Sequence, residues 1–202
     1  MKRNVGTAVT FVLGALLLSA AVATYWGENM VYTYELTFLS NTMAGAVLLA
    51  AASLRLKGKD LPQLSFLCLA CLLLTVFLVS VVFRFGFSGG LFFLHLVDPL
   101  AMLVFFLVLC DMRSVPIRAV PAVLVMPLFY LIFALVFGRV TGNYIYPFLN
   151  YEANGTAYTA VFVLATALGL LAAGYGLYFS NRLLKKFFCA MGKRRQDHGA
   201  SH

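Results

Sequence analysis

Long apolar runs separated by short polar connections dominate the hydrophobic pattern of this 202-residue chain. A run of about 18 or more apolar residues is long enough to cross the hydrocarbon core of a bilayer as a helix. Six such runs occur, at about residues 5–26, 36–54, 64–83, 91–110, 119–137 and 158–181. The pattern therefore predicts an all-α, polytopic membrane protein with six transmembrane helices.

Composition and charge placement agree with this prediction and add an orientation. Charged residues make up 11% of the chain, under half the roughly 25% that is typical of globular domains. Of the fifteen lysines and arginines, all but Arg84 and Arg139 lie at the two termini or in alternate connections. Short loops rich in Lys and Arg stay in the cytoplasm, so both termini are predicted to be cytoplasmic. Topology thus accounts for the net charge of +8, and no nucleic-acid partner is expected.

The pattern predicts a six-helix membrane domain over residues 1–181 and a basic cytoplasmic tail over residues 182–202, which is expected to be disordered. The first run has two interpretations. Its basic start and the small residues 19–23 are typical of a cleavable signal peptide. The run nevertheless continues through Tyr25 and Trp26, aromatic residues that anchor helices at a membrane interface. The second feature favours a retained first helix.

Small residues recur at every fourth position in the first and last runs. Ridges of this kind let helices approach closely in a membrane, so self-association through them is one expected partnership. The two ridges are Ala15, Ser19 and Ala23, and Ala165, Gly169 and Ala173.

Cys68 and Cys71 form a C-x-x-C pair inside the third run, without a second pair of ligands or a nearby histidine. Free cysteine packs as a small apolar residue, and we expect that role for both residues. The sequence predicts no metal and no organic cofactor.

His95 and Asp98 are the residues most indicative of function. His95 is the only histidine before the C-terminal tail, and Asp98 is the only carboxylate within an apolar run. Ionisable groups at membrane depth are costly and are functional candidates by default. Because the two residues are three apart, a helix would place them on one face.

Thr37 and Asn41 lie four apart near the start of the second run, at about the depth that topology predicts for His95. His95 could take the Thr37 proton, Asp98 could orient His95, and Asn41 could donate to a developing oxyanion. Two tyrosines are further candidates for lining the same pocket: Tyr130 in the fifth run and Tyr146 in the polar loop over residues 138–157. The alternative is an interhelical hydrogen-bond cluster that only stabilises the bundle.

Three stretches resemble a known family: Leu36 to Asn41, His95 to Pro99, and Tyr130 through Asn150. In this order they are similar to the androgen-induced and androgen-dependent membrane hydrolases and their bacterial six-helix relatives. The resemblance implies a threonine hydrolase that cleaves fatty acid esters of hydroxy fatty acids. The family's nucleophile matches Thr37 and its histidine matches His95. Asp98 departs from the family pattern, in which that position is usually apolar.

The sequence and the resemblance together favour an intramembrane lipid-ester hydrolase in a bacterial inner (cell) membrane. Its partner would be a membrane lipid or lipid ester that enters from the outer leaflet. Two other classes stay open: a non-catalytic lipid-binding or carrier protein, and a membrane interaction protein. A carrier would keep ligand binding without the Thr37 hydroxyl, whereas an interaction protein would depend on its small-residue ridges.

Overall fold

A computed structural model describes residues 2–84 and 87–199, except for the side chains of residues 2, 3, 28, 29 and 192–199. In this part of the chain every regular element is helical and no strand occurs. The six long helices are α1 (Lys2–Tyr25), α2 (Leu36–Leu56), α3 (Gln63–Phe83), α4 (Gly89–Leu109), α5 (Ile117–Thr141) and α6 (Thr156–Gly199).

All six helices are long and apolar enough to cross a membrane. Each helix begins within a few residues of the start of the corresponding predicted run. This confirms the prediction of an integral, multi-pass, all-α protein. The outward faces of α5 and α6 carry exposed apolar side chains such as Phe129, Ile132 and Leu164. In a membrane these side chains would contact lipid and not water.

Two helices are not uniform along their length. In α4 the turn Phe93–Val97 is a π-helix between two α-helical parts, Gly89–Phe92 and Asp98–Leu109. In α5 the first part, Ile117–Leu124, is a 3-10 helix, and α-helix begins at Val125. Pro121 lies within that 3-10 segment, and its missing N–H is compatible with this break in the regular hydrogen-bond ladder.

Helix α6 extends beyond the predicted end of the sixth run. It has 44 residues and is therefore about 66 Å long, twice the hydrocarbon thickness of about 30 Å. Residues 182–199 continue it as helix, in contrast to the expected disorder. The reason is that this stretch is rich in strong helix formers such as Leu, Lys and Arg. Residues 200–202 of the predicted tail lie outside the described residues.

Hydrogen bonds between helices define the two ends of the bundle. At one end Met112 N donates to Asn181 Oδ1 over 2.9 Å, and Asp111 N donates to Gln63 Oε1 over 3.0 Å. We call this the basic end, because the Lys- and Arg-rich connections lie there. At the other end Leu36 N donates to the Tyr130 hydroxyl over 3.0 Å. We call it the Thr37 end.

The core extends between these ends and holds buried residues from α1 to α6, including Leu17, Leu48, Phe66 and Phe106. Cys71 is fully buried in it, as expected for a packing residue. Of the two small-residue ridges, Ser19, Ala23, Ala165 and Gly169 are exposed. Helix α1 packs on α2 elsewhere, at the position of Gly45.

Candidate active site

The first turn of α2 carries Thr37, and the π-helical turn of α4 carries His95. Thr37 Oγ1 lies 3.0 Å from His95 Nε2, within the range of a hydrogen bond. Thr37 is 5% exposed and His95 is 2% exposed. For Nε2 to accept the hydroxyl proton, the ring proton of neutral His95 has to lie on Nδ1. The pair thus has the contact that a nucleophile needs with its base.

The π-helical turn is the local feature that presents His95, and the sequence reasoning did not identify it. The Asp98 N–H donates to the Phe93 carbonyl, five residues back. Pro99 follows directly and has no N–H to give to the carbonyl four residues earlier, which is that of His95. Turns of this kind occur frequently at functional sites. Pro99 inside an apolar run was the available signal.

Asp98 directly follows the π-helical turn, and its predicted role of orienting His95 stays a prediction. It is 4% exposed, and its Oδ2 atom has no hydrogen-bond partner among the described residues. The expectation that residues three apart share a face holds for an α-helix. The wider π turn between His95 and Asp98 changes that angle. No hydrogen bond at Oδ2 therefore supports the predicted orienting role of Asp98.

Asn41 is close to the pair but has a different role from the predicted oxyanion donor. Its Nδ2 donates to the Thr37 carbonyl over 2.8 Å and to the Leu94 carbonyl over 3.4 Å. These carbonyls belong to Thr37 and to the residue before His95. Asn41 thus links the backbone of α2 to the π turn of α4, while its Oδ1 has no partner among the described residues.

Thr37 also lines a cavity of about 110 Å³ between α2, α3, α5 and α6. His95 is not part of its lining and lies behind Thr37. Most lining side chains are aliphatic or aromatic, and the hydroxyls of Thr75 and Ser80 are bonded to the carbonyls of Cys71 and Val76 in their own helix. Thr37 is therefore the cavity hydroxyl that a base contacts.

Tyr130 and Tyr146 also line this cavity. Tyr130 accepts the Leu36 N–H, and its hydroxyl donates to the Tyr34 carbonyl over 3.3 Å. The Tyr146 ring stacks on Phe148 with centroids 5.1 Å apart. Burial, followed by the negative charge of Glu35, raises the pKa of Tyr146 to about 12, although the hydroxyls of Tyr130 and Thr37 act in the opposite direction. The Tyr146 hydroxyl is therefore protonated and able to donate at neutral pH.

The position of Thr37 at the start of α2 adds further donors. Glu35 precedes the helix, and Leu39 N donates to its carbonyl over 3.1 Å. The N–H groups of the first turn have no carbonyl four residues earlier within the helix. Together with the helix dipole they favour negative charge at this end. An oxyanion that forms beside Thr37 would have these N–H groups and the tyrosine hydroxyls as neighbours.

A second apolar cavity of about 150 Å³ lies between α3 and α6. It shares five lining residues with the first: Thr75, Val79, Phe162, Thr166 and Leu170. The two cavities are therefore neighbours along α3 and α6; we refer to them together as the apolar groove, whose second part extends towards Ala173. Its walls fit a hydrocarbon chain better than a polar solute.

Comparison of the chain with protein-family models, with curated proteins and with solved structures finds no match in any of the three.

Proposed function

We propose that this protein is an intramembrane hydrolase of lipid esters, with Thr37 as nucleophile and His95 as general base. The observation that carries the proposal is the 3.0 Å contact between Thr37 Oγ1 and His95 Nε2 at the wall of an apolar groove. A buried hydroxyl with its base and an adjoining space for hydrocarbon are the parts that such a reaction requires. No metal or organic cofactor enters this chemistry.

The reaction has two halves. In the first, Thr37 Oγ attacks the ester carbonyl carbon while its proton moves to His95 Nε2. The tetrahedral intermediate then expels the alcohol, which takes that proton, and an acyl-threonine forms. In the second half His95 takes a proton from water, and the hydroxide attacks the acyl carbon. Thr37 leaves with the proton from His95, and a free fatty acid is released.

The groove and the tyrosines support an assignment of parts to the substrate. The acyl chain would lie along α3 and α6, while the ester carbonyl would lie next to Thr37. Its oxygen would face the first turn of α2 and the Tyr146 hydroxyl, while Tyr130 holds the start of α2 through Leu36 N. Donors fixed in position before the reaction are usually the largest single contribution to catalysis of acyl transfer.

The test uses Thr37→Ala and His95→Ala in the full-length protein in detergent. We expect both to lose covalent labelling by a fluorophosphonate probe and to lower fatty acid release from lipid esters by about 10³-fold or more. Thr75→Ala is the matched control, because Thr75 lines the same cavity but bonds only to its own helix. It should keep both signals.

The alternatives give different results in the same experiment. Wild-type protein that neither labels nor cleaves any lipid ester contradicts the proposal. If the protein is a carrier, the wild type would show no turnover, and the Thr37→Ala variant would still bind a fatty acid ester. An interaction protein would show neither binding nor turnover, and substitutions in the exposed ridge at Ser19 and Ala23 would change what co-purifies.

A further inference from the structure

The basic end of the bundle contains an open cleft of about 840 Å³, far from the Thr37–His95 pair. One wall is the connection between α4 and α5, and the other is the part of α6 from Tyr178 to Lys186. Tyr178 fixes the walls to each other, because its buried hydroxyl donates to the Val115 carbonyl over 2.8 Å. This hydrogen bond holds the two walls of the cleft together.

Three cationic side chains line this cleft: Arg113, Arg182 and Lys186. Arg182 contacts the Tyr178 hydroxyl and lies over its ring at 5.3 Å, which orients the guanidinium without neutralising its charge. Arg113 pairs with Asp111 through Nε and Nη2, and the pairing lowers the pKa of Asp111. This ion pair is partly exposed, so Arg113 also faces solvent.

Negative charge is scarce around the cleft. Between residues 112 and 196 the only acidic residue is Glu152, and it pairs with Arg139 at the opposite end of the bundle over 2.9 Å. Asp111 is therefore the one carboxylate on the connection that forms the wall. Ser114 and Ser180 add hydroxyl groups to the lining. A site with this charge balance selects an anion.

One part of the cleft lining is apolar and exposed. Phe179 is 54% exposed and Leu183 is 69% exposed, and Ile117 faces them from the start of α5. Arg182 lies 26 residues after the start of α6, hence about 39 Å along that helix. A bilayer with its headgroups is about 40–45 Å thick. Arg182 and Lys186 therefore lie at headgroup depth, and Phe179, three residues before Arg182, lies nearer the acyl chains.

We propose that this cleft binds an anionic phospholipid, with its phosphate on Arg182, Lys186 and Arg113 and its acyl chains on Phe179. Basic clefts between membrane helices bind such headgroups because guanidinium groups give charge-assisted, forked hydrogen bonds to phosphate oxygens. The site is independent of the Thr37–His95 pair. A lipid there would link the α4–α5 connection to α6.

The experiment titrates the full-length protein in neutral detergent with phosphatidylglycerol or phosphatidylcholine and counts bound lipids by native mass spectrometry. The test variant is Arg182→Gln with Lys186→Gln. The matched control is Arg118→Gln with Lys57→Gln, which removes the same charge at the same end but outside the cleft. Lys186→Gln alone is included because a substitution at this exposed position should leave the fold intact.

Phosphatidylglycerol should bind more tightly than phosphatidylcholine, and the cleft pair should weaken it about 30-fold, because each basic residue near an anionic surface contributes about five-fold. Lys186→Gln alone should weaken it about five-fold with an unchanged thermal unfolding temperature. Equal losses in cleft and control variants would overturn the proposal. So would displacement of the lipid by millimolar inorganic phosphate, which would assign the cleft to a soluble anion.

Discussion

A threonine hydroxyl is a weak nucleophile until a base takes its proton, so the surroundings of Thr37 matter more than its identity. Both Thr37 and His95 are buried, and burial strengthens the hydrogen bond between them. Their depth in adjacent elements was inferable from the sequence, because each lies close to the start of its apolar run. The direction in which Asn41 and Asp98 point was not, since it depends on local helix geometry.

We predict that Asn41 positions the Thr37–His95 pair. Asn41→Leu keeps the side-chain size and removes both hydrogen bonds to the Thr37 and Leu94 carbonyls. We expect kcat for ester hydrolysis to fall about tenfold or more with little change in KM, because a small misplacement of nucleophile and base is costly.

The control for Asn41 is Thr42→Val on the same helix. Thr42 Oγ1 is buried without a partner among the described residues, so its loss should leave kcat unchanged. If Asn41→Leu lowers only the unfolding temperature and kcat stays at the wild-type value, Asn41 is structural and does not position the pair.

Tyr146 permits a prediction about pH. Its pKa of about 12 exceeds the usual value of 10.0, so the folded state holds the phenol proton more tightly than the unfolded state. The associated stability is present below pH 10 and is lost as the pH rises from about 10 through 12. Tyr146→Phe should therefore reduce the loss of unfolding free energy over that range, by up to about 2 kcal/mol at pH 12, and so flatten the fall of the thermal unfolding temperature. Identical alkaline profiles for wild type and variant would contradict this assignment.

At the scale of the element, α4 and α5 are not regular α-helices along their whole length. Predictions from periodicity assume a constant number of residues per helical turn. An apolar run without a polar face contains no signal for a change in that number. Proline is the exception, and Pro99 and Pro121 mark the two irregular segments. The π turn matters most, because it carries the candidate base.

Helices α1 and α2 approach most closely at Gly14 and Gly45. A Cβ on Gly45 would lie 2.8 Å from Leu18 N and 2.9 Å from the Gly14 carbonyl oxygen, both backbone atoms. Gly45→Ala therefore has to separate the two helices, and overpacking of this kind costs about 1–3 kcal/mol. The expected result is a clearly lower thermal unfolding temperature in detergent.

Gly6→Ala is the matched control on α1, because a Cβ there meets nothing within 4 Å. It should be neutral or slightly stabilising, since alanine restricts the unfolded chain. If both alanine variants unfold at the wild-type temperature, the close contact of α1 and α2 does not limit the stability of the bundle.

For the whole molecule, the six spans followed directly from run length, because bilayer thickness sets how many apolar residues a helix needs. The bundle core and the groove beside Thr37 did not follow. Helix α3 is apolar on all sides, so its sequence does not indicate which face packs inside. The extent of α6 was also missed, since apolar content marks only the part that crosses the membrane.

The groove between α3 and α6 predicts a dependence on acyl chain length. Gly169 and Ala173 line its far part, and a Cβ on Gly169 meets nothing within 4 Å. Gly169→Leu would put a branched side chain into this space without a clash at its first atom. About 10 Å of helix separates Thr166, which borders both cavities, from Ala173. Short acyl chains would end before the substituted position, whereas long chains would reach it.

We therefore expect Gly169→Leu to lower kcat/KM for long-chain esters about tenfold and to leave short-chain esters unaffected, since about 1.4 kcal/mol of lost apolar contact changes a rate constant tenfold. Gly176→Leu is the control, at a position on the same helix with the same free space and no part in the groove. Hydrolysis rates across a series of ester chain lengths provide the measurement. A uniform loss for all lengths in Gly169→Leu would mean that the acyl chain lies outside this groove, even if Thr37 is the nucleophile.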